Sequence, residues 1–337
     1  MQLDDLIGAR LAVGIPGTEA TDEVIRALHQ THAQSLVIFS RNFTSPEQFA
    51  ALLRRLEEAL QRRLLILVDH EGGRVIHFGQ ALTRFPAPLA QAKTEGPEGI
   101  ERQGLVEATE LKRLGVHVNL APVVDVLIEG CDPVIGDRSY GSDPDRVSAL
   151  GVARIRGLQS HGIAACAKHF PGLGAVPRDP HKVLPTIGLD WSAIEEIHLP
   201  PFQAAVEAGV ATVMSSHVCY PGLGEPDGLP ATFSRNLIHG LLRERLRFEG
   251  AILTDALEMG ALRVLGTIGE SSVRAAEAGH DVFLICCADL EPAKEALSCL
   301  RAAYQTGRLD PVELEVSVER IRQLREKYLP GTLEESR

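Results

Sequence analysis

The segment from Lys168 to Pro185 carries several residues that could do acid–base chemistry together. An apolar run ends there in Lys168-His169, and a loop rich in glycine and proline then carries Asp179 and His181. A histidine side chain, with an ordinary pKa of about 6.5, suits proton transfer near neutral pH. An aspartate two residues earlier can accept a hydrogen bond from one ring nitrogen and stabilise the imidazolium. The pair is a candidate general acid/base, and an ordinary turn with an exposed histidine, which the spacing alone favours, is the alternative.

Asp255 ends the apolar run in "GAILTDALEMGAL". A carboxylate at the end of a buried strand costs free energy unless it is hydrogen-bonded or used in chemistry. One such use is found in retaining glycosidases, where a carboxylate attacks the anomeric carbon and a second group protonates the leaving oxygen. No second acid at a strand end stands out as that proton donor, so His181 is the candidate.

Polar residues end other apolar runs in the same way. In a parallel barrel, catalytic groups lie at the C-terminal ends of the strands. A single strand-end aspartate often only caps the following loop, but five such clusters at one end of a barrel indicate a polar pocket. The clusters are Asp69-His70-Glu71, Asp125, Lys168-His169, His217 and Asp255.

The elements that must position these residues are short apolar runs that alternate with amphipathic segments. Strands are predicted at residues 9–15, 35–40, 64–70, 117–125, 165–170, 212–218, 251–257 and 281–287. Helical spacing of apolar residues covers 21–32, 45–63, 100–115, 143–162, 192–209, 234–247, 269–279 and 291–304, and a closing helix is predicted from 316 onward.

This alternation favours an α/β fold with a parallel sheet covered by helices, because the strands are apolar on both faces. Eight such units predict a TIM-like (β/α)8 barrel. A doubly wound open sheet is the alternative. It would prefer a glycine-rich dinucleotide-binding turn after the first strand, and "GIPGTEA" matches that turn poorly.

The composition is that of a globular protein, with 337 residues, 45% hydrophobic and 23% charged. No linker divides the chain, so one domain over residues 1–337 is predicted, with 171–185 as a mobile catalytic loop and 330–337 as a polar tail. The net charge of −11 argues against a nucleic-acid partner, which would need a basic patch. No apolar run approaches the roughly 20 residues of a membrane span.

The cysteines and the first ten residues indicate in which cellular compartment the protein is expected. The six cysteines lie mostly in apolar runs and two are adjacent, which is typical neither of a disulfide framework nor of a zinc site. The segment "MQLDDLIGAR" is acidic where a signal peptide would be basic. Reduced thiols and a cytoplasmic location are therefore predicted.

Several longer motifs are shared with one family of enzymes. They include "DHEGGRV", "KHFPG", the "DPH" of the loop and the block around Asp255, and they run through nearly the whole chain. In these motifs the chain resembles the family 3 glycoside hydrolases, close to the single-domain bacterial β-N-acetylglucosaminidases that recycle cell-wall fragments. The resemblance implies a TIM-like barrel and a retaining exo-β-N-acetylglucosaminidase that forms a covalent glycosyl-aspartate. The implied substrate is a saccharide or muropeptide from peptidoglycan.

The resemblance also implies a role for each matching residue. Asp255 would be the nucleophile, and His181 would be the acid/base with Asp179 behind it. A sugar offers hydroxyls that one charged acceptor and several donors can hold in a fixed orientation. The substrate-binding residues would be Asp69, Arg138, Lys168, His169, Arg74 and the strand-end His217, with the alternative that Arg74 holds the loop or neighbouring carboxylates.

Three positions depart from the usual motifs of this family. Leu173 replaces the second histidine of "KHFPGHG", Pro180 replaces a small polar residue, and His77 stands where an arginine is common. Pro180 fixes its own φ and restricts the residue before it. These three positions concern the motion of the loop, binding on the leaving-group side of the site and fine specificity. Asp255 and His181 are not among them.

Other functions stay open on the sequence alone. Lys168 could be the lysine of a Schiff-base lyase, although no apolar cage that would lower its pKa is evident. A metal-dependent hydrolase would need paired histidines on an early strand, which "LAVGIPG" lacks, and we expect no metal and no other cofactor. A family 3 β-glucosidase, an N-acetylglucosaminide phosphorylase and a non-catalytic sugar-binding protein on this scaffold are the remaining alternatives.

Overall fold

Eight parallel strands form a barrel. The structure, a computed structural model, describes residues 2–329 and 331. The strands are β1 (Leu11–Val13), β2 (Ser35–Ile38), β3 (Leu65–Val68), β4 (Val118–Asn119), β5 (Ala164–Phe170), β6 (Thr212–Ser215), β7 (Ala251–Leu253) and β8 (Phe283–Ile285). Hydrogen-bonded neighbours follow the order β7-β6-β5-β4-β3-β2-β1-β8, and a parallel bridge from Leu253 to Val282 brings the two ends together. The predicted TIM-like (β/α)8 fold is confirmed.

Helices connect the strands and surround the barrel. Helix α3 begins at Pro46, because Ser45 before it accepts a hydrogen bond from the Gln48 N–H (3.2 Å) and caps the first turn. The α-helices are α1 (Leu3–Ala9), α2 (Asp22–Thr31), α3 (Pro46–Leu60), α4 (Pro88–Thr94), α5 (Pro97–Arg113), α6 (Pro144–Ser160), α7 (Trp191–Ala193), α8 (Leu199–Glu207), α9 (Gly260–Arg263), α10 (Ile268–Ala278), α11 (Glu291–Gln305) and α12 (Pro311–Tyr328). Two segments predicted as ordinary helix, Ile194–His198 and Asn236–Arg245, are π-helical, and α1, α4 and α9 lie outside the predicted segments.

The inside of the barrel is filled by apolar side chains that continue onto the last helix. Met214 of β6 and Tyr328 of α12 belong to the same buried cluster. Arg325 of α12 donates to the carbonyls of Gln34 (3.0 Å) and Arg63 (2.9 Å), which precede β2 and β3. The closing helix is therefore confirmed, and it covers the N-terminal end of the barrel. The strand-end polar residues are left at the opposite end.

The outer faces of the strands are covered by the surrounding helices, as expected for strands that are apolar on both faces. Ile38 and Val68 on the strands share one buried cluster with Phe49 and Leu56 of α3. No helix in the described part of the chain is both long and apolar enough to cross a membrane. Of the polar tail predicted at 330–337, all but residue 331 lies outside the described residues.

Candidate active site

A cavity of about 580 Å³ lies among the side chains that follow the strand ends. Eight of the nine residues that the sequence assigned to the site line it, and His217 does not. The eight are Asp69, Arg74, Arg138, Lys168, His169, Asp179, His181 and Asp255. The cavity thus brings residues of the barrel together with residues of the loop 171–185, which we call the catalytic loop.

The turn after β3 presents Asp69 and Glu71 to the cavity. Asn119 of β4 holds the residue between them, because its side chain accepts from the His70 N–H (3.0 Å) and donates to the His70 carbonyl (2.9 Å). Gly73 follows with a φ of +57°, and a Cβ there would lie 2.7 Å from a side chain of a neighbouring loop. The "DHEGG" stretch therefore needs glycine to make this turn.

Four charged residues form what we call the rim cluster: Asp69, Glu71, Arg138 and Lys168. Lys168 Nζ contacts Asp69 Oδ1 (2.5 Å) and Glu71 Oε1 (2.7 Å), and Lys168 is 2% exposed. Arg138 donates two parallel hydrogen bonds to Glu71, at 2.7 and 2.8 Å. Such a bidentate pair fixes orientation as well as distance, so the cluster is rigid before any ligand binds.

The charges of the rim cluster stabilise one another. Burial alone would lower the pKa of Lys168, but Asp69 and Glu71 outweigh it and raise that pKa above its ordinary value. Burial alone would raise the pKa of Glu71, but Arg138 and Lys168 outweigh it and hold that pKa well below its usual range. A Schiff-base lyase needs a neutral lysine amine, so a firmly protonated Lys168 argues against that alternative. Within the described residues, no group of three or more His, Cys, Asp and Glu side chains is arranged to hold a metal ion.

His169, beside Lys168 on β5, is oriented by Asp125. Its Nδ1 lies 2.8 Å from Asp125 Oδ2, and the buried carboxylate also accepts from the backbone N–H groups of His169 (3.2 Å) and Leu173 (2.6 Å). Since Nδ1 donates to the carboxylate and Nε2 has no hydrogen-bond partner among the described residues, Nε2 is available to a ligand in the cavity. Asp125 therefore serves to position the imidazole.

Asp255 follows β7 and faces the same cavity. Its Oδ1 accepts a hydrogen bond from the Ala256 N–H at 2.8 Å. Burial would raise the pKa of Asp255, but the neighbouring imidazoles of His169 and His217, that N–H group and the Lys168 amine outweigh it and lower the pKa. The carboxylate is therefore ionised, as a nucleophile must be.

His217 lies behind Asp255 and does not line the cavity. Its Nδ1 is 2.6 Å from Thr232 Oγ1, and its Nε2 is 3.0 Å from the Ala256 carbonyl. Burial lowers the pKa of His217. Both ring nitrogens are thus occupied by protein partners, and the side chain supports the turn that carries Asp255.

The catalytic loop carries the aspartate–histidine pair as the spacing predicts. Asp179 Oδ1 lies 2.7 Å from His181 Nδ1 and accepts from the His181 N–H at 2.9 Å. Burial opposes ionisation of Asp179, but the backbone N–H and the imidazole of His181 outweigh it and lower the pKa of the carboxyl. This contact directs Nε2 of the exposed imidazole away from Asp179.

Arg74 lines the cavity but is engaged by its own surroundings. Its Nε donates to Asp137 (2.9 Å), and one terminal nitrogen donates to the Val134 carbonyl (2.8 Å). The side chain is half-exposed. This geometry matches the alternative role of Arg74, which is to hold the loop around residues 133–137 against the cavity.

The three departures from the family motifs all lie at or near the cavity. Leu173 and Pro180 line it, and Leu173 is buried. His77 also lines it, with Nδ1 3.0 Å from Ser40 Oγ, and burial lowers the pKa of His77. These substitutions therefore change the cavity wall and leave the rim cluster intact.

Sequence reasoning missed the role of several residues around the cavity. Glu71 and Asp125 were included in the strand-end clusters. The sequence did not indicate their partners, because each ion pair joins segments that are distant in sequence. Glu258 was not considered. It accepts from the Cys286 N–H (3.1 Å), and burial raises its pKa. Its position three residues after Asp255, in the same turn, was the only signal in the sequence.

Comparison with known sequences gives consistent results. A family model described as "Glycosyl hydrolase family 3 N terminal domain" matches residues 3–324. A β-hexosaminidase of Thiobacillus denitrificans is 40% identical over 282 residues, which cover 82% of this chain and 77% of that protein. A β-hexosaminidase of Nitrosomonas eutropha is 36% identical over 338 residues, which cover 97% of this chain and 96% of that protein.

Comparison with solved structures extends the similarity to the three-dimensional fold. A glycoside hydrolase family 3 β-N-acetylglucosaminidase from Paenibacillus sp. str. FPU-7 has a TM-score of 0.93 and 35% identity over 98% of this chain. This chain spans 64% of that protein, slightly less than two thirds. A β-N-acetylhexosaminidase from Beutenbergia cavernae has a TM-score of 0.87 and 27% identity, covering 97% of this chain and 99% of that one.

Proposed function

Because the chain belongs to family 3 of the glycosyl hydrolases, we propose that it is a retaining exo-β-N-acetylglucosaminidase, a β-N-acetylhexosaminidase. One observation carries the proposal. An ionised carboxylate, Asp255, and an aspartate-bound imidazole, His181, line one cavity beside a cluster of charged groups. A nucleophile and a proton donor on opposite sides of a sugar-sized space are what a retaining glycosidase needs.

The terminal sugar binds against the rim cluster. Asp69 accepts hydrogen bonds from sugar hydroxyls, Lys168 and Arg138 donate to them, and His169 uses its free Nε2. Because these side chains already hold one another, binding requires little rearrangement.

In the first step, an oxygen of Asp255 bonds to the anomeric carbon while the bond from that carbon to the leaving oxygen breaks. His181 gives its Nε2 proton to the leaving oxygen, and Asp179 stabilises the imidazolium before transfer. In the second step, water bonds to the anomeric carbon, its proton passes to His181, and the ester bond to Asp255 breaks. Two displacements at one carbon return the β-anomer.

The substrate we assign is a peptidoglycan fragment, either a saccharide or a muropeptide, with terminal β-linked N-acetylglucosamine. The preference for the N-acetyl sugar is supported by the relatives named β-hexosaminidase and β-N-acetylglucosaminidase. All six cysteines are unpaired, which fits the reducing cytoplasm where such fragments would be recycled.

The test is a panel of aryl β-glycosides that share one leaving group and differ only at the 2-position. We expect the 2-acetamido substrate to have the highest kcat/KM, and proton NMR to show the β-anomer as the first product. A better 2-hydroxy substrate would favour a β-glucosidase, and binding without turnover would favour a non-catalytic protein. Assays with and without phosphate separate hydrolysis from phosphorolysis, which would release a sugar 1-phosphate.

A further inference from the structure

The catalytic loop contacts the segment after Asp255 through its backbone. The Gly260 N–H donates to the His181 carbonyl (3.2 Å), and the Ala261 N–H donates to the Pro180 carbonyl (3.0 Å). We call these two hydrogen bonds the latch. The segments that carry the nucleophile and the proton donor are therefore joined directly, backbone to backbone.

Residues 177–184, which we call the loop tip, have few other attachments. In the described chain, the latch provides the only backbone hydrogen bonds from the tip to other segments. The loop is anchored again on either side of the tip, where the carbonyls of Val176 and Pro185 accept bonds of 2.8 and 3.0 Å from other loops. The placement of His181 relative to the barrel thus depends on the latch.

The close approach at the latch leaves no room for a side chain on residue 260. A Cβ added to Gly260 would lie 2.5 Å from the His181 carbonyl oxygen and 3.0 Å from the carbonyl atoms of Lys182. These are backbone atoms that cannot rotate away, so a methyl group would push the loop tip off α9. Gly188, just beyond the catalytic loop, faces open space, so a methyl group there meets nothing.

We propose that Gly260 is a positioning residue, which together with Ala261 sets the imidazole of His181 relative to Asp255. The inference rests on the proposed function, because it takes His181 as the acid/base. Proton transfer needs His181 within hydrogen-bond reach of the glycosidic oxygen, and a shift of about 1 Å in such a group can cost on the order of 10²-fold in rate. The latch makes no contact with the rim cluster, so sugar binding should be unaffected.

The test is the kinetics of Gly260→Ala on aryl β-N-acetylglucosaminides whose leaving groups differ in pKa. We expect kcat/KM to fall by about 10²-fold for the poorest leaving group and progressively less as the leaving group becomes more acidic. Azide needs no general base to attack the glycosyl-enzyme, so it should restore turnover on activated substrates and release a β-glycosyl azide. The Ki of N-acetylglucosamine should stay at the wild-type value, and Gly188→Ala should match wild type throughout.

Ala261→Pro is a second variant that removes the other donor, and proline is well tolerated in the first turn of a helix. Equal losses for every leaving group, or wild-type kinetics in both variants, would overturn the inference. His181→Ala in the same series separates the two proposals. If it shows the leaving-group dependence and the latch variants do not, only the latch role fails; if it shows none, the acid/base assignment and the latch role both fail.

Discussion

At the rim of the barrel the charged groups are buried or partly buried and held by side-chain ion pairs, whereas most residues of the loop tip are exposed and the tip is held to the barrel by the latch. Lys168 is 2% exposed and contacts two carboxylates. The His181 side chain is 60% exposed, and among the described residues Asp179 is its only hydrogen-bond partner. Segments with few buried contacts open at low free-energy cost, while preorganised charges need no rearrangement during the reaction.

This difference assigns separate tasks to the two regions. In the mechanism we propose, the rim cluster holds the sugar, and the loop supplies the proton and withdraws to let substrate and product pass. Variants at the rim should therefore affect folding stability as well as rate, whereas variants in the loop should affect proton transfer with little change in stability.

The largest effect should come from Asp255→Ala. Because the proposed mechanism assigns the bond to the anomeric carbon to Asp255, kcat/KM on an aryl β-N-acetylglucosaminide should fall by about 10⁴-fold or more. Thermal unfolding should stay near wild type, and the exposed Asp227→Ala serves as the control. Retention of most of the activity would refute the assignment of Asp255 as nucleophile.

The next largest effect should come from His181→Ala, which tests the loop side of the comparison. The rate on a natural leaving group should fall by about 10²–10⁴-fold, the usual contribution of general acid–base catalysis. The loss should shrink on an activated phenol, which leaves without a proton. The control variant His161→Ala, at an exposed histidine, should have no effect. An equal loss of rate on both substrates would show that His181 is not the general acid.

The variant Lys168→Met tests whether the ion pairs of the rim cluster stabilise the fold. It leaves Asp69 and Glu71 facing each other without their shared cation, so the free energy of unfolding in urea should fall by about 3–5 kcal/mol. Adding Glu71→Gln should recover part of the loss, because the two changes are coupled. The exposed Lys93→Met is the matched control, and unchanged stability in Lys168→Met would contradict a rigid rim.

A second buried ion pair lies behind the rim cluster, and the pKa of its carboxyl is shifted in the opposite direction from that of Glu71. Glu107 of α5 contacts Arg154 of α6 and accepts from Gln103 at 3.0 Å. Burial raises the pKa of Glu107 from 4.5 to about 7, because a single cation does not offset the loss of hydration. Glu71 is equally buried but has two cations, so its pKa is lowered.

The smallest predicted effect is the pH dependence that follows from Glu107. A raised pKa means that protonated Glu107 stabilises the fold fully below pH 4.5, and that this contribution is lost as pH rises to about 7. Between pH 5 and 8 the free energy of unfolding of wild type should therefore fall by about 1–3 kcal/mol more than that of Glu107→Gln. The exposed Glu101→Gln, on the same helix, should keep the wild-type slope. Parallel slopes for wild type and Glu107→Gln would contradict the raised pKa.

Much of the fold was predictable because the barrel repeats one local pattern. Each strand is a short apolar run, and Asp69, Lys168 and Asp255 were visible as polar residues that end such runs. The resemblance to family 3 glycoside hydrolases, inferred from motifs, is confirmed by the family match over residues 3–324.

The rest depends on contacts between segments that are distant in sequence. Glu71 and Arg138 are 67 residues apart, and nothing in either local stretch indicates their bidentate pair. The occupied nitrogens of His217 likewise depend on Thr232, which comes from the loop after β6. Local patterns gave the positions of these side chains along the strands, but packing decided which of them face the cavity.

The most direct test of the central claim is to trap the covalent intermediate. In a 5-fluoro analogue of N-acetylglucosaminyl fluoride, the ring fluorine slows both steps by destabilising the positively charged transition state, while the good fluoride leaving group keeps the first step faster than release, so the covalent adduct should accumulate. Mass spectrometry of the digested protein should then find the sugar on the peptide that contains Asp255, and Asp255→Ala should carry none. A sugar on any other residue, or a reagent that is turned over without a covalent adduct, would contradict the account.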